Sequence, residues 1–115
     1  MFGQLGWLAD FDPEVSARIV KALDTRELQE FDWNWPMLAR TAQIAPSGDW
    51  RVWLVMAGRG FGKTRAGAEW VRLIAEENCE ARIALVSASL AEARAVMVEG
   101  ESGLIACSPP DRQPV

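Results

Sequence analysis

Alternating strand-like and helix-like stretches place this chain in the α/β class, as a parallel sheet crossed by helices and preceded by short N-terminal helices. Two segments lead there, residues 50–57 and 81–87, both short, rich in β-branched or aromatic residues and nearly continuous in apolar character. That pattern fits strands buried on both faces. Between them, Lys63 to Glu77 has the spacing of an amphipathic helix. A glycine-rich loop joins the first strand-like segment to that helix.

The N-terminal part reads as helical. Asp12-Pro13-Glu14 is a helix start, because Asp can cap, Pro fits the first turn and Glu suits the positive end of the helix dipole. Val15, Ile19 and Ala22 then recur on one face, with Arg18 and Lys21 off it. Thr25, Leu28 and Phe31 mark a second short helix. Trp33 and Trp35 stand just before Pro36. They read as a hydrophobic clasp that holds the N-terminal helices to the main body, or as a surface for a partner or for an adenine base. The turn cluster Ala45-Pro46-Ser47-Gly48-Asp49 sets the boundary between an N-terminal helical segment, residues 1–45, and the main domain, residues 46–115.

Within the main domain the first strand is followed by the loop and the helix. Gly67, Trp70, Val71 and Ile74 share one face of that helix, and Arg65, Glu69, Arg72 and Glu76 share the other. The alternating charges lie at three- and four-residue steps, so they can pair along a solvated face. After the second strand, Ser89 can cap a helix running through Ala91, Ala95 and Met97 and ending near Gly100. Residues 108–114 read as loop.

Composition narrows the function classes. The 115 residues carry 12 basic and 16 acidic side chains, a net charge of −4, so the chain has no bulk attraction for a nucleic-acid backbone. Cys79 and Cys107 are isolated and there is no histidine, which leaves no disulfide framework and no zinc site. Two reduced thiols fit a cytoplasmic protein. Residues 1–7 lack the basic start of a signal peptide, and the longest apolar run, residues 52–57, is far too short to span a bilayer. The expected compartment is the cytoplasm of a host cell, with no membrane partner.

The chemistry lies in Ala57-Gly58-Arg59-Gly60-Phe61-Gly62-Lys63-Thr64. It follows the P-loop pattern, a glycine, four residues, then Gly-Lys-Ser/Thr, with Ala57 in the first place. Gly58, Gly60, Phe61 and Gly62 form a stretch whose backbone N–H groups can turn inward around a phosphate. The helix start adds the positive end of its dipole. Lys63 would reach the β- and γ-phosphates, and Thr64 would put its hydroxyl on Mg²⁺. The ligand expected is therefore ATP with Mg²⁺, and the expected fold is a P-loop NTPase-type sheet, incomplete at this length. Arg59 lies where γ-phosphate charge develops. It reads as an arginine finger in cis, or as a surface arginine that steadies phosphate or pairs with a glutamate.

Residues 50–70, Trp50 through the loop to Trp70, resemble the ATPase domain of large terminase subunits, the DNA-packaging motors of tailed phages and gene-transfer-agent particles. An arginine early in the loop marks that family and favours the catalytic reading of Arg59. Val96-Met97-Val98-Glu99-Gly100 with Ser102-Gly103-Leu104 is similar to the family's stretch after the second strand. Arg40-Thr41-Ala42-Gln43 resembles its adenine-reading segment, which makes Gln43 a candidate base contact, against the alternative of an exposed loop amide. The resemblance implies an oligomeric motor that moves double-stranded DNA through a capsid portal.

The chain also departs from that family. The second acidic motif of such motors, an apolar strand ending in Asp-Glu, is missing, and so is the acidic cluster of the C-terminal nuclease domain. The expectation is the N-terminal part of a large terminase, inactive as an ATPase by itself and prone to self-association through an unfinished sheet. Another P-loop ATPase, helicase-like or recombinase-like, and a non-functional relic are the alternatives.

Overall fold

The computed structural model describes residues 12–115, and the reading of residues 1–7 lies outside them. The chain divides into two compact units, one ending at Ala42 and the other spanning Gln43–Val115.

The first unit holds helices α1 (Pro13–Ala22), α2 (Thr25–Asp32) and α3 (Trp35–Leu38). Their starts are set by local chemistry. The Asp12 carboxylate accepts from the Glu14 amide at 2.9 Å, with Pro13 in the first turn. Asp24 and Glu27 close a reciprocal box at the start of α2: the Glu27 amide donates to Asp24 at 2.8 Å, and the Asp24 amide donates to Glu27 at 2.9 Å. α2 packs on α3, and Trp35 is buried. No residue of α1 or α2 is buried.

The second unit is organised by α4 (Lys63–Glu77), with α5 (Leu90–Glu92), a π-helical turn (Ala93–Val98) and α6 (Leu104–Cys107). Ser89 caps α5 as its sequence suggests, accepting from the Glu92 amide at 3.1 Å. The helix expected through Met97 widens after Glu92 into the π-turn. α4 packs chiefly on α6 and also on the π-turn.

The expected α/β fold is not what the chain forms. Among the described residues there is no strand and no sheet, and the molecule is a small helical one. A strand exists only through the ladder it makes with a neighbour, and residues 50–57 and 81–87 exchange no backbone hydrogen bonds. Each keeps a trace of the two-residue period. Trp53, Val55 and Ala57 are half-buried, while Val52, Leu54 and Met56 face outward at 82%, 73% and 84% exposure. The inward face of the first segment is held by aromatic contacts instead. Trp50, Trp53 and Trp70 form a mutual cluster with ring centroids 6.0–6.3 Å apart, and Trp50 Nε1 donates to the Pro46 carbonyl at 2.7 Å.

The charged face of α4 is also corrected. Its charges pair as their spacing suggests, but they do so in the interior. Glu69 is 1% exposed and Arg72 6%. Arg65 reaches Glu69 at 2.7 Å, and Arg72 bridges Glu69 and Glu76, each at 2.9 Å. The reason lies in the partner. Cys107 of α6 lies beside Arg65, Glu69 and Arg72, whereas Trp70, Val71 and Ile74 on the other side stay half-buried. No helix among the described residues is long and apolar enough to cross a membrane.

Candidate functional site

The loop between residues 57 and 64 has the backbone its glycines permit. Gly60 and Gly62 lie at φ +81° and +89°, in the left-handed region where a side chain is strained. Gly62 is the cap residue of α4 and supplies no side-chain cap. The first helical bond runs from the Ala66 amide to the Gly62 carbonyl at 2.9 Å. The amides of the first turn therefore look out of the helix start. Among the described residues no acceptor takes the amides of Gly60, Gly62, Lys63 or Thr64. The Phe61 amide closes a turn on the Gly58 carbonyl at 3.4 Å.

Lys63 bends back over the loop, and its Nζ donates to the carbonyls of Ala57 at 2.7 Å and Gly58 at 2.8 Å. An ammonium has three N–H bonds, so one remains for a ligand. Thr64 is exposed beside it. Arg59 is exposed and makes no ion pair among the described residues.

Gln43 is buried at 8% exposure, not an exposed loop amide, and its Nε2 donates to the Phe61 carbonyl at 2.9 Å. The same nitrogen lies 2.7 Å from where a Cβ on Gly62 would stand. Gln43 and Gly62 thus lie close together, and the backbone angle at 62 favours glycine.

The loop faces a cavity of about 480 Å³. Its lining comes from two stretches: Arg59, Gly60, Gly62, Lys63, Thr64 and Arg65 from the loop and helix start, and Ala95, Val96, Gly100, Glu101 and Ser102 from the π-turn and the turn after it. The second stretch escaped the sequence reading, which had matched it to a family pattern without giving it a role. Its construction is steric. A Cβ on Gly100 would lie 2.6 Å from the Val96 carbonyl oxygen, and one on Gly103 would lie 2.6 Å from that of Val98. The Gly103 amide donates to the Gly100 carbonyl at 2.9 Å. The pair of glycines flanking Glu-Ser was the available signal. The Cys107 thiol, from α6, donates to the Ser102 carbonyl at 3.6 Å and ties this turn to the helix that packs on α4.

Behind the loop, Arg65 connects the cavity to the buried ion cluster of α4. Burial acts against the Arg72 charge, and its bonds to Glu69 and Glu76 more than offset this, holding its pKa above the ordinary value. Burial pushes the Cys107 thiol up to about 11. No group of three or more metal-ligating His, Cys, Asp or Glu side chains occurs among the described residues.

Fold and site together define a small helical protein in which a glycine-rich loop opens a fifteen-residue helix. Residues 54–112, a little over half of the chain, match the family described as terminase large subunit, T4likevirus-type, N-terminal, and the chain belongs to that family. Membership links it to phage DNA packaging and, in general terms, to DNA and a packaging complex as partners. It also selects the terminase reading over the helicase-like and recombinase-like ones. No curated protein and no solved structure matches the chain.

Proposed function

We propose that this chain binds ATP with Mg²⁺ through residues 57–64 and forms the nucleotide-binding part of a DNA-packaging motor. The observation that carries the reading is the loop-to-helix junction. Two left-handed glycines, four amides without acceptors and a lysine folded over the loop converge where a cavity opens. Such a junction combines amides without acceptors with the positive end of a helix dipole, which suits a polyphosphate.

The residues present fit the ligand. The amides around Gly60 and Gly62 surround phosphate oxygens, with Gly58 and Phe61 shaping the turn that presents them. The free N–H of Lys63 reaches the β- and γ-phosphates. The Thr64 hydroxyl would hold Mg²⁺, which would offset phosphate charge. Arg59, the unpaired cation of the loop, stands against charge that grows on the γ-phosphate during hydrolysis. Gln43 is the candidate contact for the adenine base, and its Nε2 holds the Phe61 carbonyl of the loop. Double-stranded DNA, a capsid portal and an oligomeric ring belong to the same proposal at the level of the assembled motor.

Calorimetric titration with ATP-Mg²⁺ tests this. The wild-type chain should bind saturably. Lys63→Ala should weaken binding about tenfold or more, because it removes one charge-assisted bond to phosphate. Equal affinity in the two proteins, or no binding by either, counts against the proposal. The second result favours a relic.

A further inference from the structure

The geometry points to Glu101, from a second stretch that lines the same cavity as Thr64, as a carboxylate that holds, through water, the Mg²⁺ of a bound nucleotide. This inference rests on the nucleotide-binding reading of the loop and adds a residue to it. The loop itself, residues 57–64, carries no carboxylate for the metal. The fold supplies one from elsewhere. Glu101 lines the same cavity as Lys63 and Thr64 although it lies nearly forty positions further along.

Three observations support the assignment. First, Glu101 is a carboxylate without a partner: it makes no ion pair or hydrogen bond among the described residues, although arginines elsewhere in the unit are paired with Glu69, Glu76 and Glu99. Second, its position is built rather than incidental. The turn that carries it is closed by glycines at 100 and 103, each packed so tightly against a carbonyl that no Cβ fits. The turn is also tied to α6 by the contact between Cys107 and the Ser102 carbonyl. Third, the same cavity carries cations, Arg59 and Lys63, together with the Thr64 hydroxyl. A carboxylate in that cavity would repel a bare triphosphate and attract a metal-bound one.

The donor set suits Mg²⁺. This ion keeps several waters and takes one or two protein oxygens beside the phosphates, rather than a full protein cage. That agrees with the lack of any larger ligand cluster among the described residues. With Thr64 as the direct protein ligand, Glu101 would accept hydrogen bonds from metal-bound waters. Outer partners of this kind orient the inner shell and tune affinity for the metal.

The test compares ATP affinity in excess Mg²⁺ with affinity in EDTA, for the wild type and for Glu101→Gln. Glu101 is exposed, so the isosteric amide leaves the fold intact, and the circular dichroism spectrum checks this. The wild type should prefer the Mg²⁺ form. Glu101→Gln should lose about tenfold or more of that preference, with affinity for metal-free ATP equal to or tighter than the wild type's. A Mg²⁺ preference unchanged in Glu101→Gln overturns the role of Glu101 and leaves the loop reading standing. Failure of the wild type to bind ATP in either condition overturns both.

Discussion

At position 107 a thiol with no exposed surface lies beside the Arg65–Glu69–Arg72 cluster. Burial pushes it from an ordinary 9.0 up to about 11, with Arg65 pulling down, Glu69 pushing up and Arg72 pulling down in decreasing measure. The folded protein thus holds this proton more tightly than the unfolded chain does. The resulting stability is complete below pH 9 and is lost as pH rises through about 11. In urea titrations the wild-type midpoint should fall across that window more than the midpoint of Cys107→Ala. A shift of this size leaves roughly a hundredfold less thiolate, so a thiol reagent at pH 8 should modify exposed Cys79 rapidly and Cys107 slowly. Equal rates at the two cysteines would contradict the buried placement. The same scale shows what the sequence disclosed about the site. The grouping of Lys63, Thr64 and the loop glycines was legible because it spans eight consecutive residues. Glu101 was not, because its approach to the loop depends on two glycines meeting carbonyls four or five positions back.

At the scale of elements, the buried side of α4 carries its charged cluster. Glu69 accepts from both Arg65 and Arg72, and Arg72 also reaches Glu76. Removing Glu69 takes from Arg65 and Arg72 the buried carboxylate they share, and breaking a buried pair in this way costs about 3–5 kcal/mol. Glu69→Ala should therefore unfold the second unit or lower its urea midpoint steeply. Arg26→Ala, which breaks an exposed pair between Arg26 and Glu30 at 3.2 Å, should leave the midpoint within error. Similar losses from both substitutions would mean that the α4 cluster is solvated after all. Helix starts were readable in the sequence because a cap is a local event, as at Asp12 and Ser89. Which face of α4 would be covered was not readable. Periodicity groups Glu69 with Arg72, but only the arrival of α6 decides that this group is inside. The strands failed for the same reason. Residues 50–57 and 81–87 have the composition of strands, but a ladder needs a neighbour at hydrogen-bonding distance, and neither segment serves the other.

At the scale of the second unit as a whole, the interior is thin and the surface is apolar where the expected sheet would have been covered. Its buried hydrophobic side chains are small: Ala66, Ala68, Ala93 and Cys107. Side chains of that size remove little apolar area from water, so the unit gains modest hydrophobic stabilisation. Meanwhile Val52, Leu54, Met56 and Val86 stand 73–84% exposed. Three of the four alternate along one segment, forming a single apolar stripe. Contiguous exposed apolar surface drives association when nothing covers it, and a net charge of −4 on 115 residues opposes this only weakly. The wild-type chain should therefore self-associate as concentration rises, seen as a growing sedimentation coefficient. Replacing Leu54 and Met56 together by lysine should return it to a monomer, because both side chains point outward and neither lines the cavity. The double variant should keep the ATP affinity of the wild type, since the loop lies C-terminal to the stripe and is held by Gln43 and Lys63. A wild-type chain that stays monomeric at every concentration would mean that the stripe is covered in solution by a rearrangement of the segment that carries it.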